Sequence, residues 1–77
     1  MNRTPVQSSH IKSIGHEGTV LEVEYWNGEV YRFNNISEEA FLEIETAKSV
    51  GKAVGSVIKQ DGVTGEKVER SIVELVE

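Results

Sequence analysis

YWNGEVYRF, residues 25–33, holds Tyr25, Trp26, Tyr31 and Phe33, four of the five aromatic side chains of the chain (one Trp, two Tyr and two Phe). It is either an aromatic platform that binds a ligand or a hairpin that buries its own rings. Strand register decides between them. If Asn27-Gly28 formed a two-residue loop, Tyr25 would face Val30 and Val23 would face Arg32, with Tyr31 and Phe33 set beside Glu24 and Glu22. That pairing mixes charge with aromatic rings. A three-residue loop, Trp26-Asn27-Gly28 with Gly28 left-handed as a bulge, instead puts Tyr25 opposite Glu29, Val23 opposite Tyr31 and Leu21 opposite Phe33. One face is then apolar away from the turn. The other sets Glu22 across from Arg32, an opposite-charge pair worth roughly 0.2–1 kcal/mol. The three-residue loop is therefore expected, with Tyr25, Tyr31 and Phe33 turned to the core.

Working outward, residues 19–25 alternate cleanly, with Leu21, Val23 and Tyr25 on one face and Glu22 and Glu24 on the other. The latter two are expected to be solvent-exposed. SSHIKSIG, residues 8–15, is an earlier strand in which the three-residue step from Ile11 to Ile14 predicts a bulge near Ser13. His16-Glu17-Gly18 is a turn, and residues 1–7, with Pro5, trail until Val6 docks. After the hairpin, Ser37 is a helix N-cap with Glu38 and Glu39 in the first turn, and Ala40, Phe41, Ile44 and Ala47 form the buried side. Ser49 caps a second helix running to about residue 60, with Val50, Val54, Val57 and Ile58 inward. DGVTG, residues 61–65, is a loop. In residues 66–77 Val68, Ile72, Val73 and Val76 suit a helix, the preferred reading, while the β-branched content suits a strand. The expected fold class is α+β: a three-stranded antiparallel β-meander packed against two helices, plus a C-terminal helix or strand. The expected organisation is an arm (1–7), a domain (8–60), and a loop with a C-terminal extension (61–77).

Seventy-seven residues make one domain, and a chain this short buries only about 60% of the surface its unfolded form exposes. It has no cysteine for a disulfide, so a partner subunit is one way to reinforce it, and a homo-oligomer is a candidate state. The lack of cysteine and of any signal-like or membrane-spanning apolar run points to the cytoplasm. Eight Lys and Arg against thirteen Asp and Glu give a net charge of −5, which opposes the general phosphate attraction behind non-specific nucleic-acid binding. Any nucleic-acid site must be a local patch. With 38% hydrophobic residues and 27% charged, the chain has enough apolar material to fold.

The order of short motifs resembles the KTSC domain family, found at the C-terminus of some lysyl-tRNA synthetases and as a free-standing bacterial and phage-type protein. The resemblance is carried by V-x-S-S-x-I (Val6 to Ile11), Ile14-Gly15, L-x-V-x-Y (Leu21 to Tyr25), Asn27-Gly28, Tyr31-x-Phe33 and A-x-S-x-G (Ala47 to Gly51). It spans residues 6–59. The family's central Tyr-x-Tyr stands here as Tyr31-Arg32-Phe33, one hydroxyl short. The resemblance implies RNA binding only through the synthetase context, which is association and not mechanism.

The segment AKSVGK, residues 47–52, carries the most chemistry. A helix starting after Ser49 presents backbone N–H groups, Gly51 removes side-chain bulk, and Lys48 and Lys52 flank the end, an arrangement that holds a phosphate. It is not a P-loop, because the full G-x-x-x-x-G-K-[ST] pattern is absent. The plainer alternative is an ordinary Ser cap with Gly allowing close packing. Lys48, Lys52 and Lys59 line one side of the helix as a basic stripe that Arg32 and Lys12 extend, or they are a solvated helix face. Tyr31 is a base-stacking candidate that register assigns to the core. Trp26, in the loop, is an exposed contact residue, a cover for the hairpin edge or an interface residue. His10 and His16 lack partners at metal-ligand spacing, and Ser8, Ser9 and His10 form no recognisable catalytic set.

The leading expectation is a non-enzymatic binding module, without cofactor, for RNA or a phosphate-bearing nucleotide, using Lys48, Ser49, Gly51, Lys52 and Lys59 with Trp26, Tyr31 and Arg32. The alternatives are an acidic protein-interaction or inhibitor factor, phage-derived and acting on a host protein through its Glu-rich surface and residues 66–77, and a homo-oligomeric sponge for a signalling nucleotide.

Overall fold

Two local devices in the sequence place the strands. At the central hairpin, Tyr25 N–H donates to the Glu29 carbonyl (2.9 Å), Gly28 N–H donates to the Tyr25 carbonyl (3.0 Å), and Gly28 adopts φ 93°. This is the three-residue loop with a left-handed glycine. It sets Leu21 opposite Phe33, Glu22 opposite Arg32 and Val23 opposite Tyr31. The second device is the bulge, which falls at Lys12: Ile11 pairs with Tyr25 and Ser13 with Glu24, so one residue is extra. Both Ile11 and Ile14 are thereby buried, although three positions apart.

The computed structural model describes residues 2–68. Its elements are β1 (Thr4–Pro5), β2 (Ile11–Glu17), β3 (Val20–Tyr25), β4 (Val30–Asn34), α1 (Glu38–Thr46), α2 (Val50–Ile58) and β5 (Thr64–Lys67). The sheet is a pure antiparallel meander in the order β1-β2-β3-β4-β5. Its inner face, with Ile11, Ile14, Leu21, Val23 and Phe33, shares one core with Ile36, Ile44, Val50, Val54 and Val57. The α+β class, the meander and the two helices agree with the sequence; the strand count does not, being five and not three.

Both additional strands are edge strands. The arm does not trail to Val6, because Thr4 pairs with Ile14 and Pro5 with Ser13. Gly15 makes this possible: a Cβ there would collide with the Asn2 carbonyl and lie 3.1 Å from the Arg3 side chain. Arg3 consequently reaches Glu22 (3.1 Å) and Glu24 (3.9 Å). Glu22, expected to be solvated, is only 6% exposed beneath it. At the opposite edge, the expected loop 61–65 ends early. Asn35 Nδ2 donates to the Gly62 carbonyl (2.6 Å), and Thr64, Gly65, Glu66 and Lys67 then pair with Asn34, Phe33, Arg32 and Tyr31. Glu66 and Lys67 are therefore strand, and Val68 N–H donates to the Val30 carbonyl (2.8 Å). The helix expected in the tail lies, beyond residue 68, outside the described residues.

Smaller boundary differences have local causes. The first strand begins at Ile11 because the Ser8 hydroxyl accepts the N–H groups of His10 and Ile11 (3.2 Å each), holding residues 8–10 in a turn. It continues to Glu17, so the reversal is centred on Gly18 (φ 63°) and Thr19. His16 is thus a strand residue. Its Nε2–H donates to the Ile36 carbonyl (2.7 Å), and its ring stacks on Phe41 at 4.9 Å. Helix α1 starts at the expected cap, with Ala40 N–H donating to Ser37 Oγ (3.1 Å). Ala47, expected on its buried side, is instead its extended C-cap, and α2 ends at Ile58 with Lys59 as C-cap.

Candidate anion-binding cleft

Helix α2 is positioned by its cap. Ser49 is extended (φ −121°, ψ 101°), its Oγ accepts Lys52 N–H (3.3 Å), and its carbonyl accepts Ala53 N–H (3.0 Å). The N–H groups of Val50 and Gly51 stand at the positive end of the helix dipole. Gly51 has a second role: a Cβ there would lie 3.3 Å from Ser8 Oγ, tighter than most packed contacts. The glycine lets the Ser8 turn close onto the helix start. Gln7, Ser8, Ser9 and His10 thus form one wall, and Lys48 to Lys52 the other, of a cleft of about 500 Å³.

The chemistry of this cleft is one-sided. Its lining includes Lys48, Lys52, two serines besides Ser49, and His10, and it contains no Asp or Glu. Among the described residues, the ion pairs within 4 Å engage Arg3, Arg32 and Lys67, and neither cleft lysine is among them. Cationic side chains with backbone N–H groups and hydroxyls around a helix start suit an oxyanion. No group of three or more His, Cys, Asp or Glu suited to a metal ion occurs among the described residues.

Of the residues singled out from the sequence, Lys48, Ser49, Gly51 and Lys52 come together here. Lys59 does not, since it caps the far end of α2, about 10 Å further along the axis. Arg32 lies on the outer sheet face between Glu22 (3.9 Å) and its strand partner Glu66, so it does not extend the basic stripe. Tyr31 is half-buried against the core, its ring edge-on to Tyr25 (5.8 Å) and stacked with Phe33 (6.2 Å), so it offers no open platform. Burial, then the neighbouring Tyr31, raises the Tyr25 hydroxyl above its ordinary pKa. Trp26 is 58% exposed, but its indole N–H donates to the Ser8 carbonyl (2.9 Å). The hairpin tip is therefore fastened to the cleft wall. The Gln7–His10 wall itself was not assigned from the sequence; the polar run before Ile11, with a glycine on the facing helix, was its only trace.

This geometry defines the class: a small α+β domain in which a five-stranded meander carries two helices and brings its first loop against the start of the second. More narrowly, the chain belongs to the KTSC family, since the profile of the KTSC domain matches residues 7–61. That segment contains both walls of the cleft. The crystal structure of a KTSC domain protein from Yersinia pestis is similar at a TM-score of 0.77 and 31% identity, covering 88% of this chain and 97% of that one. An uncharacterised protein of Stutzerimonas stutzeri (strain A1501) is 34% identical over 61 residues, 77% of this chain and 86% of the relative. Among the described residues, no helix is long and apolar enough to cross a membrane.

Proposed function

We propose that the protein is a non-enzymatic binding module for RNA or a phosphate-bearing nucleotide, held in the cleft between residues 7–10 and the start of α2. One observation carries this role: two segments distant in sequence converge cationic and N–H or O–H donors on a site without carboxylates, in a chain of net charge −5. The surrounding negative charge repels phosphates in general, so binding is local and falls steeply with salt. Lys48 and Lys52 supply the charge, while the backbone of α2 supplies direction.

The test is the double substitution Lys48→Glu and Lys52→Glu, with binding of a fluorescein-labelled oligouridylate followed by anisotropy. Lys52 is the third helical residue after the Ser49 cap, so glutamate there completes a capping box and suits the dipole. The fold is retained, and binding should weaken by about a hundredfold or more, as expected for reversing two phosphate contacts. Unchanged affinity refutes the role.

A second role, protein interaction, is favoured by the outer side of α1, where Leu42 is 58% exposed beside Glu38, Glu39 and Glu45. The acidic tail that the sequence offers for it lies, beyond residue 68, outside the described residues. Leu42→Glu, a change at an exposed side chain, should abolish capture of a protein partner while leaving the fold intact; retained capture excludes this face of α1 as the contact.

A further inference from the structure

Trp26 is the residue that the anion cleft leaves without a purpose. Held in place at the hairpin tip, it presents an aromatic face of the kind on which bases stack. Its backbone N–H donates to the His10 carbonyl (3.1 Å) and its indole N–H to the Ser8 carbonyl (2.9 Å). These bonds fix the ring by its polar edge and leave much of it open to solvent. A second cleft, about 480 Å³, is lined by Trp26, Lys12, Arg3, Pro5 and Val6 among others. Glu24, its one carboxylate, is already engaged by Ser13 Oγ (2.8 Å) and Arg3 (3.9 Å). Lys12 Nζ stands 5.8 Å from the indole centroid, and no carboxylate of the described residues pairs with it.

The two clefts flank the same short stretch of chain. Ser8 touches both sides, with its carbonyl on the indole and its Oγ 3.3 Å from the Cβ position of Gly51. Adding these contacts to the span of one residue puts the indole nitrogen within about 12 Å of Gly51. Cations therefore stand at two places near a fixed aromatic ring, Lys48 and Lys52 in the α2 cleft that Ser8 walls and Lys12 over one face of the indole itself. A mononucleotide presents phosphate at one place only. Phosphates at two places with a stacked base between them are the repeating pattern of a single strand.

We propose that the ligand is a single-stranded oligonucleotide that runs from the α2 cleft across Ser8, stacks a base on Trp26 and meets Lys12 with a further phosphate. This deepens, and rests on, the anion-binding role of the cleft. Between strands of the same bases the 2′-hydroxyl is what separates RNA from DNA, so both kinds are probes.

Trp26 is the sole tryptophan, and its emission reports the stacking position directly. The experiment titrates the full chain with inorganic phosphate, UMP, tetrauridylate and tetradeoxyuridylate, following emission and, by calorimetry, affinity. Tetranucleotides should quench the emission and bind about tenfold or more tighter than UMP, the gain expected of one stacked base. Lys12→Gln, a change at an exposed side chain, should remove part of that gain and leave UMP affinity unchanged. It serves where Trp26→Ala disturbs the Ser8 contact. Equal affinity for the two tetranucleotides supports a strand read by backbone and stacking; preference for tetrauridylate supports an RNA strand. Equal affinity for UMP and tetrauridylate, or tight binding without quenching, overturns the strand while leaving the anion cleft standing. Absence of binding by phosphate, UMP and both tetranucleotides overturns the anion cleft as well.

Discussion

The central hairpin and the two edge strands of the same sheet are specified in different ways. β3 and β4 sit in the middle of the meander and turn Leu21, Val23 and Phe33 into the core, Leu21 and Val23 at 0% exposure. β1 and β5 have no buried residue at all. An inner strand must satisfy a side-chain period of two because one face is dry. An edge strand held by backbone pairing carries no such period. Its sequence requirement is for a missing side chain at the close approach: Gly15 in the neighbouring β2 makes room for the arm, and Gly65 in β5 itself makes room for Phe33.

Leu21→Ala should break the hairpin side of this comparison most severely. Deleting a fully buried leucine costs about 2–5 kcal/mol, a large share of the stability of so small a domain. Urea unfolding followed by circular dichroism should show the midpoint fall sharply, while Glu66→Ala in the exposed edge should barely move it. Gly65→Ala sharpens the contrast at an intermediate level. A Cβ there would meet Phe33 ring atoms at 2.5 Å, so the ring must shift, at about 1–3 kcal/mol for an overpacked contact. If its midpoint matches that of Glu66→Ala, β5 is not packed as described.

The smallest effect tests the link between the two regions. Glu29, at the hairpin end, takes a 2.7 Å ion pair from Lys67 of β5 and a hydrogen bond from Asn27 Nδ2 (3.0 Å). The Lys67 bond first, then that from Asn27 and the Lys67 charge, holds its carboxyl below the ordinary carboxylate range. A lowered folded-state pKa gives a contribution present above the unfolded-state value and lost as pH falls through the folded one. Glu29→Gln should therefore be slightly less stable than the parent at neutral pH, and the difference should vanish on acidification below the usual carboxylate range. A gap independent of pH would assign the effect to something other than this pair.

The register of YWNGEVYRF could be derived because only one pairing keeps Tyr31 and Phe33 away from Glu22 and Glu24, and that pairing is observed. The bulge was visible in the spacing of Ile11 and Ile14, and both helix starts in Ser37 and Ser49. The buried state of Glu22 was not, because it depends on Arg3 crossing Gly15, a contact between residues far apart in sequence whose only sign is a missing side chain. The same holds for the cleft. Its α2 wall follows from a local motif, whereas the Gln7–His10 wall and its fastening by Trp26 exist only once β2 and β3 are paired. Arg32 was placed correctly across from Glu22, and that placement removes it from the basic cluster: register had already put it on the outer face.

The extra residue at Lys12 has a consequence for how this protein tolerates change. The Lys12 side chain is exposed, so almost any residue fits the position at little cost to the fold. Losing the position is tolerated in the same way. With one residue fewer, Ile11, Ser13 and Ile14 keep their partners Tyr25, Glu24 and Val23 in unbroken alternation, and both isoleucines still face the core. What the extra residue supplies is the kink and added twist of a bulge, set beside the Ser8 turn and the Trp26 indole. Lys12 is thus an insertion that the core does not require: the chain can mutate there freely, and shortening it there leaves the core register intact.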